Sequence, residues 1–368
     1  MPTLSSRAAA LAATIAIAAC ARPAPPAAAT ESLRPGGAIA QIACGDFHAC
    51  ALYRDGAVRC WGRDRNGELG DAGAAGEVSA AGVDVAGLGR VEEIAAGASF
   101  TCARAEGGTV LCWGSGKILG DGRAASRVRP TPVAGVRGAA SIRAGGYVAC
   151  VRTADGAARC WGTSAVERGA PPSAGVSEVD AASAHACARM TDGKVRCWGE
   201  GPWGGEGAVA FDAPPIAGAR SVATGDSFGC AAEGGGAVQC WGRNDEGELG
   251  INPDENNHVE PVAVRFVTGA VKVDAGESHA CALLASGAVW CWGSNTEGEL
   301  GRGVQSVQEL AAPVPGIPPA RDVAMGADFV CALGRDDSLF CWGSNGKGQL
   351  GDGTTADRFA PVRVARPR

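Results

Sequence analysis

One short motif, Cys-Trp-Gly, occurs seven times in this 368-residue chain, and another cysteine lies ten positions before each copy. The first cysteines of successive pairs are 37–52 residues apart, a period of about 47. Self-similarity at this period is typical of repeat architectures, in which no single unit can bury its apolar faces alone. The pairs are Cys50 with Cys60, Cys102 with Cys112, Cys150 with Cys160, Cys187 with Cys197, Cys230 with Cys240, Cys281 with Cys291 and Cys331 with Cys341.

Each cysteine pair brackets a predicted β-hairpin. If the two cysteines lie opposite each other, the hairpin loop has an odd length, and its last residue is expected in the left-handed conformation. Six units have glycine there, and the seventh has Asp337, a residue type that tolerates this backbone. The glycines are Gly56, Gly108, Gly156, Gly193, Gly236 and Gly287. One register therefore accounts for both the cysteines and the glycines.

The repeat predicts an all-β fold, a seven-bladed β-propeller over residues 38–368. The first unit has no Pro-Val step, whereas Pro361-Val362 follows the seventh unit. We therefore expect residues 361–364 to pair into the first blade and close the ring, with a free tail as the alternative. The tryptophans of the motif recur in register and are expected to pack between blades. They are Trp61, Trp113, Trp161, Trp198, Trp241, Trp292 and Trp342.

The order Gly-x4-Cys-Ala-Leu, Cys-Trp-Gly-x-Asn and Gly-x-Leu-Gly resembles the repeats of the regulator-of-chromosome-condensation family over nearly all of residues 38–368. Units two to four depart from it; unit four has Ala182 where the other units have glycine, and Trp203 in the leucine region. The resemblance implies a propeller whose loops bind partners. The eukaryotic namesake of the family exchanges guanine nucleotides, and a bacterial relative is a β-lactamase inhibitor protein.

The N-terminal residues indicate export. Residues 1–19 carry one charge, Arg7, and end in an apolar stretch followed by Cys20. Ile17-Ala18-Ala19-Cys20 resembles the lipobox of bacterial lipoproteins, which implies cleavage before Cys20 and lipidation of its thiol; an ordinary signal peptide is the alternative. The Pro/Ala-rich residues 20–37 are expected to form a tether. The predicted location is the bacterial cell envelope, at the outer membrane, the periplasm or the cell surface.

An oxidising compartment favours disulfides in the seven pairs, although buried thiols fit the same spacing. Cys44 takes the place of a small residue in other units. It is therefore expected to be a buried side chain, with a reactive thiol or an exchange partner for Cys50 as the alternatives.

Neither the charge nor the motifs indicate an enzyme. The net charge of −6 argues against a nucleic-acid partner. No catalytic motif and no metal-ligand spacing occurs, so no catalytic residue, cofactor or metal is predicted. His48, His185 and His279 align with apolar residues in other units and are expected to pack in the core, and His258 is expected in a solvated loop.

The predicted function is that of a monomeric, non-enzymatic, envelope-anchored module that binds an unknown protein and contacts the membrane only through its lipid. Specificity is expected from the loops after Cys-Trp-Gly, residues 63–68, 243–248, 294–299 and 344–349. A carbohydrate-binding or polysaccharide-active protein is the alternative, and guanine-nucleotide exchange is a remote one by family name only. The candidate binding residues are Arg63, Asn66, Glu68, Trp203, Asn244, Glu246, Asn295, Glu297, Asn345 and Lys347.

Overall fold

The computed structural model describes residues 37–73, 76–120, 125–162, 166–167, 169–201, 211–212, 216 and 218–364. The predicted signal peptide (1–19), Cys20, the tether up to residue 36, and Trp203 lie outside these ranges. Within them, no helix has the length and apolar character needed to cross a membrane.

The described residues form seven antiparallel sheets, and each sheet is built from strands that are consecutive in the chain. Blades 1 and 2 contain β1 (Ile39–Cys44), β2 (His48–Tyr53), β3 (Val58–Arg63), β4 (Val78–Asp84), β5 (Val91–Ala96), β6 (Phe100–Ala105), β7 (Thr109–Gly114) and β8 (Arg127–Pro132). Blades 3 and 4 contain β9 (Ala139–Gly145), β10 (Val148–Thr153), β11 (Ala158–Trp161), β12 (Val176–Ala181), β13 (His185–Met190), β14 (Val195–Gly199) and β15 (Phe211–Asp212).

Blades 5 to 7 complete the ring. They contain β16 (Ser221–Thr224), β17 (Phe228–Ala232), β18 (Val238–Gly242), β19 (His258–Ala263), β20 (Ala270–Ala275), β21 (His279–Leu284), β22 (Val289–Asn295), β23 (Ser306–Pro313), β24 (Ala320–Met325), β25 (Phe329–Gly334), β26 (Leu339–Gly343) and β27 (Arg358–Arg363). The first strands of successive blades contact one another, β24 and β1 included, and surround a central channel. The predicted all-β, seven-bladed β-propeller is therefore confirmed.

The two ends of the channel open on different faces. The loop face carries the turns between the first and second strands and the loops that follow Cys-Trp-Gly. The hairpin face carries the turns between the second and third strands and the connections between blades. The first described strand, β1, begins at the hairpin face.

The predicted hairpin register is confirmed in every blade. The two cysteines of each pair lie directly opposite each other, with Cα atoms 4.0–4.1 Å apart. The six predicted glycines have φ between 75° and 93°, and Asp337 has φ of 61°. The spacing of the cysteines and the position of the glycines therefore follow from the same turn.

All seven predicted cysteine pairs are joined by disulfides, so the alternative of buried thiols does not hold for them. The bonds join Cys50 to Cys60, Cys102 to Cys112, Cys150 to Cys160, Cys187 to Cys197, Cys230 to Cys240, Cys281 to Cys291 and Cys331 to Cys341. Every bond links the second and third strands of one blade, and none links two blades. Seven disulfides suggest that the chain folds in an oxidising compartment.

The core consists of seven apolar clusters, one between each pair of neighbouring blades, and each cluster contains one tryptophan of the Cys-Trp-Gly motif. Trp113 lies between blades 1 and 2, for example, and Trp61 lies between blades 7 and 1. The tryptophans therefore pack between blades, as the sequence predicts.

The prediction that residues 361–364 pair into the first blade is wrong. β27 pairs with β26 of blade 7, where Val362 lies opposite Cys341. The first blade has its own outer strand, β4, in which Val83 lies opposite Cys60 and Gly82 takes the place of Pro361. The first unit therefore lacks the proline of the Pro-Val step but does not lack the outer strand in which that step usually lies. Blades 7 and 1 meet through side chains and an indole hydrogen bond.

Candidate functional site

The loops after Cys-Trp-Gly on the loop face are held in shape by their own polar side chains. In blade 6, the side-chain oxygen of Asn295 accepts a hydrogen bond from the Leu300 amide, and its NH2 group donates to the Val304 carbonyl. Asn244 and Asn345 bind the amides of Leu249 and Leu350 in the same way. Asp64 does this in blade 1, with Leu69.

The glutamate or glutamine that directly precedes this leucine closes the same turn. The carboxylate of Glu68 accepts a hydrogen bond from the Asn66 amide at 2.6 Å. Equivalent bonds run from the amide of Glu246 to Glu248, from that of Glu297 to Glu299 and from that of Lys347 to Gln349.

The loops also fasten neighbouring blades together. In four of them, the backbone carbonyl of this glutamate or glutamine accepts a hydrogen bond from the tryptophan indole of the next blade, at 2.7–2.8 Å. The pairs are Trp113 with Glu68, Trp292 with Glu248, Trp342 with Glu299 and Trp61 with Gln349. The indole N–H groups of Trp161, Trp198 and Trp241 are buried without a partner among the described residues. These three follow units two to four, where the sequence departs from the repeat.

This geometry changes the expected role of several candidate binding residues. Glu68, Asn244, Asn295 and Asn345 are fully buried, so they shape the loops and cannot contact a partner directly. The Arg63 guanidinium group donates hydrogen bonds to Glu68 and, across the blade interface, to the Ala98 carbonyl and to Ser99. Asn66, Glu246 and Glu297 are partly exposed and Lys347 is exposed, while Trp203 lies outside the described residues.

Four carboxylates that sequence reasoning did not single out lie on one side of the loop face, and all but Asp328 line the cavity of the central channel. Asp226, Glu277, Asp328 and Asp46 occupy the first turn of blades 5, 6, 7 and 1, and we call them the acidic rim. Burial, followed by the charges of Asp226 and Glu277, raises the pKa of Asp46 to about 7. Burial and nearby acids also raise the pKa of Glu277 and Asp328.

The signal for the acidic rim was present in the sequence. In each of the four units, an acidic residue comes after the glycine that follows the first strand, either directly or after one alanine. The glycines themselves permit close approach of the blades. A Cβ on Gly45 would lie 2.2 Å from the Gly97 carbonyl oxygen, and one on Gly326 would lie 2.5 Å from the Gly45 carbonyl oxygen.

The central channel encloses a cavity of about 590 Å³. Side chains of one blade bind the free edge of the next blade's first strand, since these innermost strands have no further strand to pair with. Gln41, for instance, binds both the amide and the carbonyl of Ile94. The residue opposite the first cysteine forms one layer of the channel wall: Ala43, Ala95, Arg143, Asp180, Ala223, Asp274 and Ala324.

The buried histidines and Cys44 belong to the packing. Burial lowers the pKa of His48 and His185 to about 4 and that of His279 to about 3, so all three are neutral near pH 7. Cys44 packs against the cluster between blades 7 and 1, whereas Cys50 is bonded to Cys60 in the cluster between blades 1 and 2. In the described part of the chain, no three His, Cys, Asp or Glu residues are grouped to hold a metal ion.

A closed ring of seven consecutive antiparallel sheets, six with four strands and blade 3 with three among the described residues, defines a β-propeller repeat protein. Two models of the regulator of chromosome condensation (RCC1) repeat match the chain, and together they cover residues 39–68, 91–117, 176–202 and 219–368. The chain belongs to the RCC1 repeat family.

Individual relatives share the fold or part of the sequence. The ultraviolet-B receptor UVR8 of Arabidopsis thaliana is 37% identical over 97 residues, which are 26% of this chain and 22% of that protein. The matched region thus spans about a fifth of that relative. Human WBSCR16 has a TM-score of 0.71 at 19% identity, over 83% of this chain and 92% of that chain. Prp20p of Saccharomyces cerevisiae, described with its binding to Gsp1p and histones, has a TM-score of 0.54 at 18% identity, over 89% and 77%.

Proposed function

We propose that this protein is a non-enzymatic module of the cell envelope that binds another protein through its loop face, and that its partner presents a basic surface. The acidic rim is the observation that carries the proposal. Its four carboxylates lie close enough to affect one another's charge, and two arginines of the same face, Arg63 and Arg243, form ion pairs with Glu68 and Asp245. A basic partner would relieve this repulsion and would also gain a faster association rate.

The scaffold supports a binding role. Loops on a rigid propeller hold their side chains in place before binding, which lowers the entropy cost of association. The disulfides and the indole bonds supply that rigidity here. The yeast relative Prp20p binds proteins, Gsp1p and histones, which is consistent with such a role for the fold.

The position of β1 fits an anchored protein. β1 begins at the hairpin face, so a chain anchored at Cys20 would enter the described propeller on the side opposite the loop face. Membrane fractionation of the full chain and of Cys20→Ser tests this part. We expect the substitution to move the protein from the membrane fraction to the soluble fraction, and an unchanged distribution would contradict the anchor.

The binding proposal is tested by capturing envelope proteins on the immobilised protein. The test variant carries Asp46→Asn, Asp226→Asn, Glu277→Gln and Asp328→Asn. The control neutralises four exposed carboxylates of the hairpin face, with the substitutions Asp55→Asn, Asp155→Asn, Asp192→Asn and Asp336→Asn.

We expect a saturable, salt-sensitive partner that the control variant keeps and the test variant loses. Partner binding that both variants keep would refute the acidic rim as the site. Absence of any protein partner would refute the binding role itself. Reduction of the disulfides is expected to abolish capture, because it loosens the scaffold.

A further inference from the structure

The cavity in the central channel is far larger than the roughly 30 Å³ that one water molecule occupies in the liquid. Seven carboxylates but only three basic side chains line it, so its wall carries an excess of negative charge. The acidic rim residues Asp46, Asp226 and Glu277 line the same cavity and form its entrance on the loop face. Charge and access therefore both favour a cationic ligand.

Two of the basic side chains of the wall, Lys272 and Arg143, already form ion pairs with carboxylates. The Lys272 ammonium group lies 2.7 Å from Asp322 and 3.3 Å from Asp274, and it donates to the Val323 carbonyl at 2.6 Å. These three acceptors use its three donors. Arg143 is bound to Glu93 at 2.5 Å and to the Ile142 carbonyl at 2.8 Å. Neither cation neutralises Asp180 by direct contact.

Asp180 has unused acceptor capacity. The amide and the hydroxyl of Thr224 both donate to its Oδ2 atom, at 2.8 and 2.9 Å. Its Oδ1 atom accepts no hydrogen bond from the described residues, and Asp180 lines the cavity. Asp274, two blades away, lies in the same layer of the wall, and the residue of that layer between them is Ala223. The small alanine leaves a space between two carboxylates, each of which can accept hydrogen bonds.

We propose that the central channel binds an alkylammonium group, which enters past the acidic rim and is held by the carboxylates of Asp180 and Asp274. The ammonium group supplies donors and a positive charge to Asp180, and the apolar side chains of Ala95 and Ala324 line the same cavity, where a methylene chain can pack. The group belongs either to a free diamine or to a lysine side chain of a protein bound at the loop face; the second source rests on the function proposed above.

Calorimetric titration with 1,4-diaminobutane is the primary test, with butanedioate as the anionic control of equal length. We expect saturable binding of the diamine and none of the dianion. Asp180→Asn, which keeps the shape of the side chain, is expected to weaken diamine binding at least tenfold, while Asp155→Asn on the hairpin face leaves it unchanged. Absence of saturable heat with the wild-type protein, or equal affinity in Asp180→Asn, would overturn the proposal.

Cys44 supplies a second readout because it lines the cavity and is the one cysteine of the described residues outside a disulfide. Two thiosulfonate reagents of opposite charge are compared in a Cys20→Ser chain, and the rate of each with Cys44 is divided by its rate with a free thiol. We expect this ratio to be at least tenfold higher for the cationic aminoethyl reagent than for the anionic sulfonatoethyl reagent. Diaminobutane is expected to slow this modification. Equal rate ratios for the two reagents, together with no slowing of the modification by diaminobutane, would overturn the channel site.

The two sources of the ammonium group give different results. Protection of Cys44 by diaminobutane alone indicates a small-molecule site. Protection by a captured partner, lost when its lysines are acetylated, indicates a lysine side chain. Diamine binding needs no protein partner, so failure of the capture experiment leaves this test intact, and failure of this test leaves the loop-face proposal intact.

Discussion

The indole hydrogen bonds between blades allow a matched comparison within one molecule. Trp292 and Trp241 are equally buried, but only the Trp292 indole donates to a carbonyl, that of Glu248, at 2.8 Å. Replacing either tryptophan by phenylalanine removes a similar volume from the core. Trp292→Phe also removes a hydrogen bond and leaves a buried carbonyl without its donor, which costs about 1–3 kcal/mol. Trp241→Phe loses no hydrogen bond among the described residues.

We therefore expect Trp292→Phe to lower the free energy of unfolding by about 1–2 kcal/mol more than Trp241→Phe. Urea unfolding with the disulfides intact, followed by far-ultraviolet circular dichroism, measures the difference without relying on tryptophan fluorescence. Trp342→Phe should behave like Trp292→Phe, and Trp198→Phe like Trp241→Phe. Equal destabilisation of the two groups would refute the inference that these bonds fasten the blades.

Three further predictions concern the disulfides, one loop asparagine and one buried carboxylate. Thiol titration of unfolded Cys20→Ser should find one thiol before reduction and fifteen after it, and reduction should destabilise the fold, because each disulfide contributes about 2–3 kcal/mol by limiting the unfolded chain. More than one thiol before reduction would contradict full pairing. Asn295→Ala should cost about 1–3 kcal/mol, because the Leu300 amide loses its acceptor, whereas Thr296→Ala on the exposed side of the loop should cost under about 0.5 kcal/mol. Equal costs for the two variants would contradict the structural role of the asparagine. The pKa of Asp180 is raised to about 7, chiefly by burial and then by Asp274, so the folded state binds a proton that the unfolded state releases between about pH 4 and 7. This contribution therefore increases stability as the pH falls, by at most about 1.4 kcal/mol per pH unit and less where solvent screens the charge. Asp180→Asn should flatten that slope in denaturant titrations, and an unchanged slope would contradict the raised pKa.

The sequence predicted those features that a local spacing determines. Cys331 and Cys341 had to face each other if the hairpin loop was odd, and Asp337 then had to occupy the left-handed position, as it does. Features that depend on neighbouring blades were harder to predict. Asn295 looked like an exposed loop residue because the sequence does not show that its loop folds back against the next blade. Asp180 and Asp274 are far apart in the chain, and only ring closure places them in one layer.

Each described blade consists only of strands that are consecutive in the chain, and this has an evolutionary consequence. In a propeller closed by a shared strand, a gained or lost repeat must preserve the pairing of the two chain ends. Here each sequence repeat and each blade begin and end at the same connections between blades. The start of β1 and the end of β27, which a circular permutation would link, both lie on the hairpin face. A tandem duplication or deletion of one unit therefore changes the number of blades by one whole blade. The same property allows the chain to be cut at one connection between blades and rejoined at residues 37 and 364, so that any blade can come first.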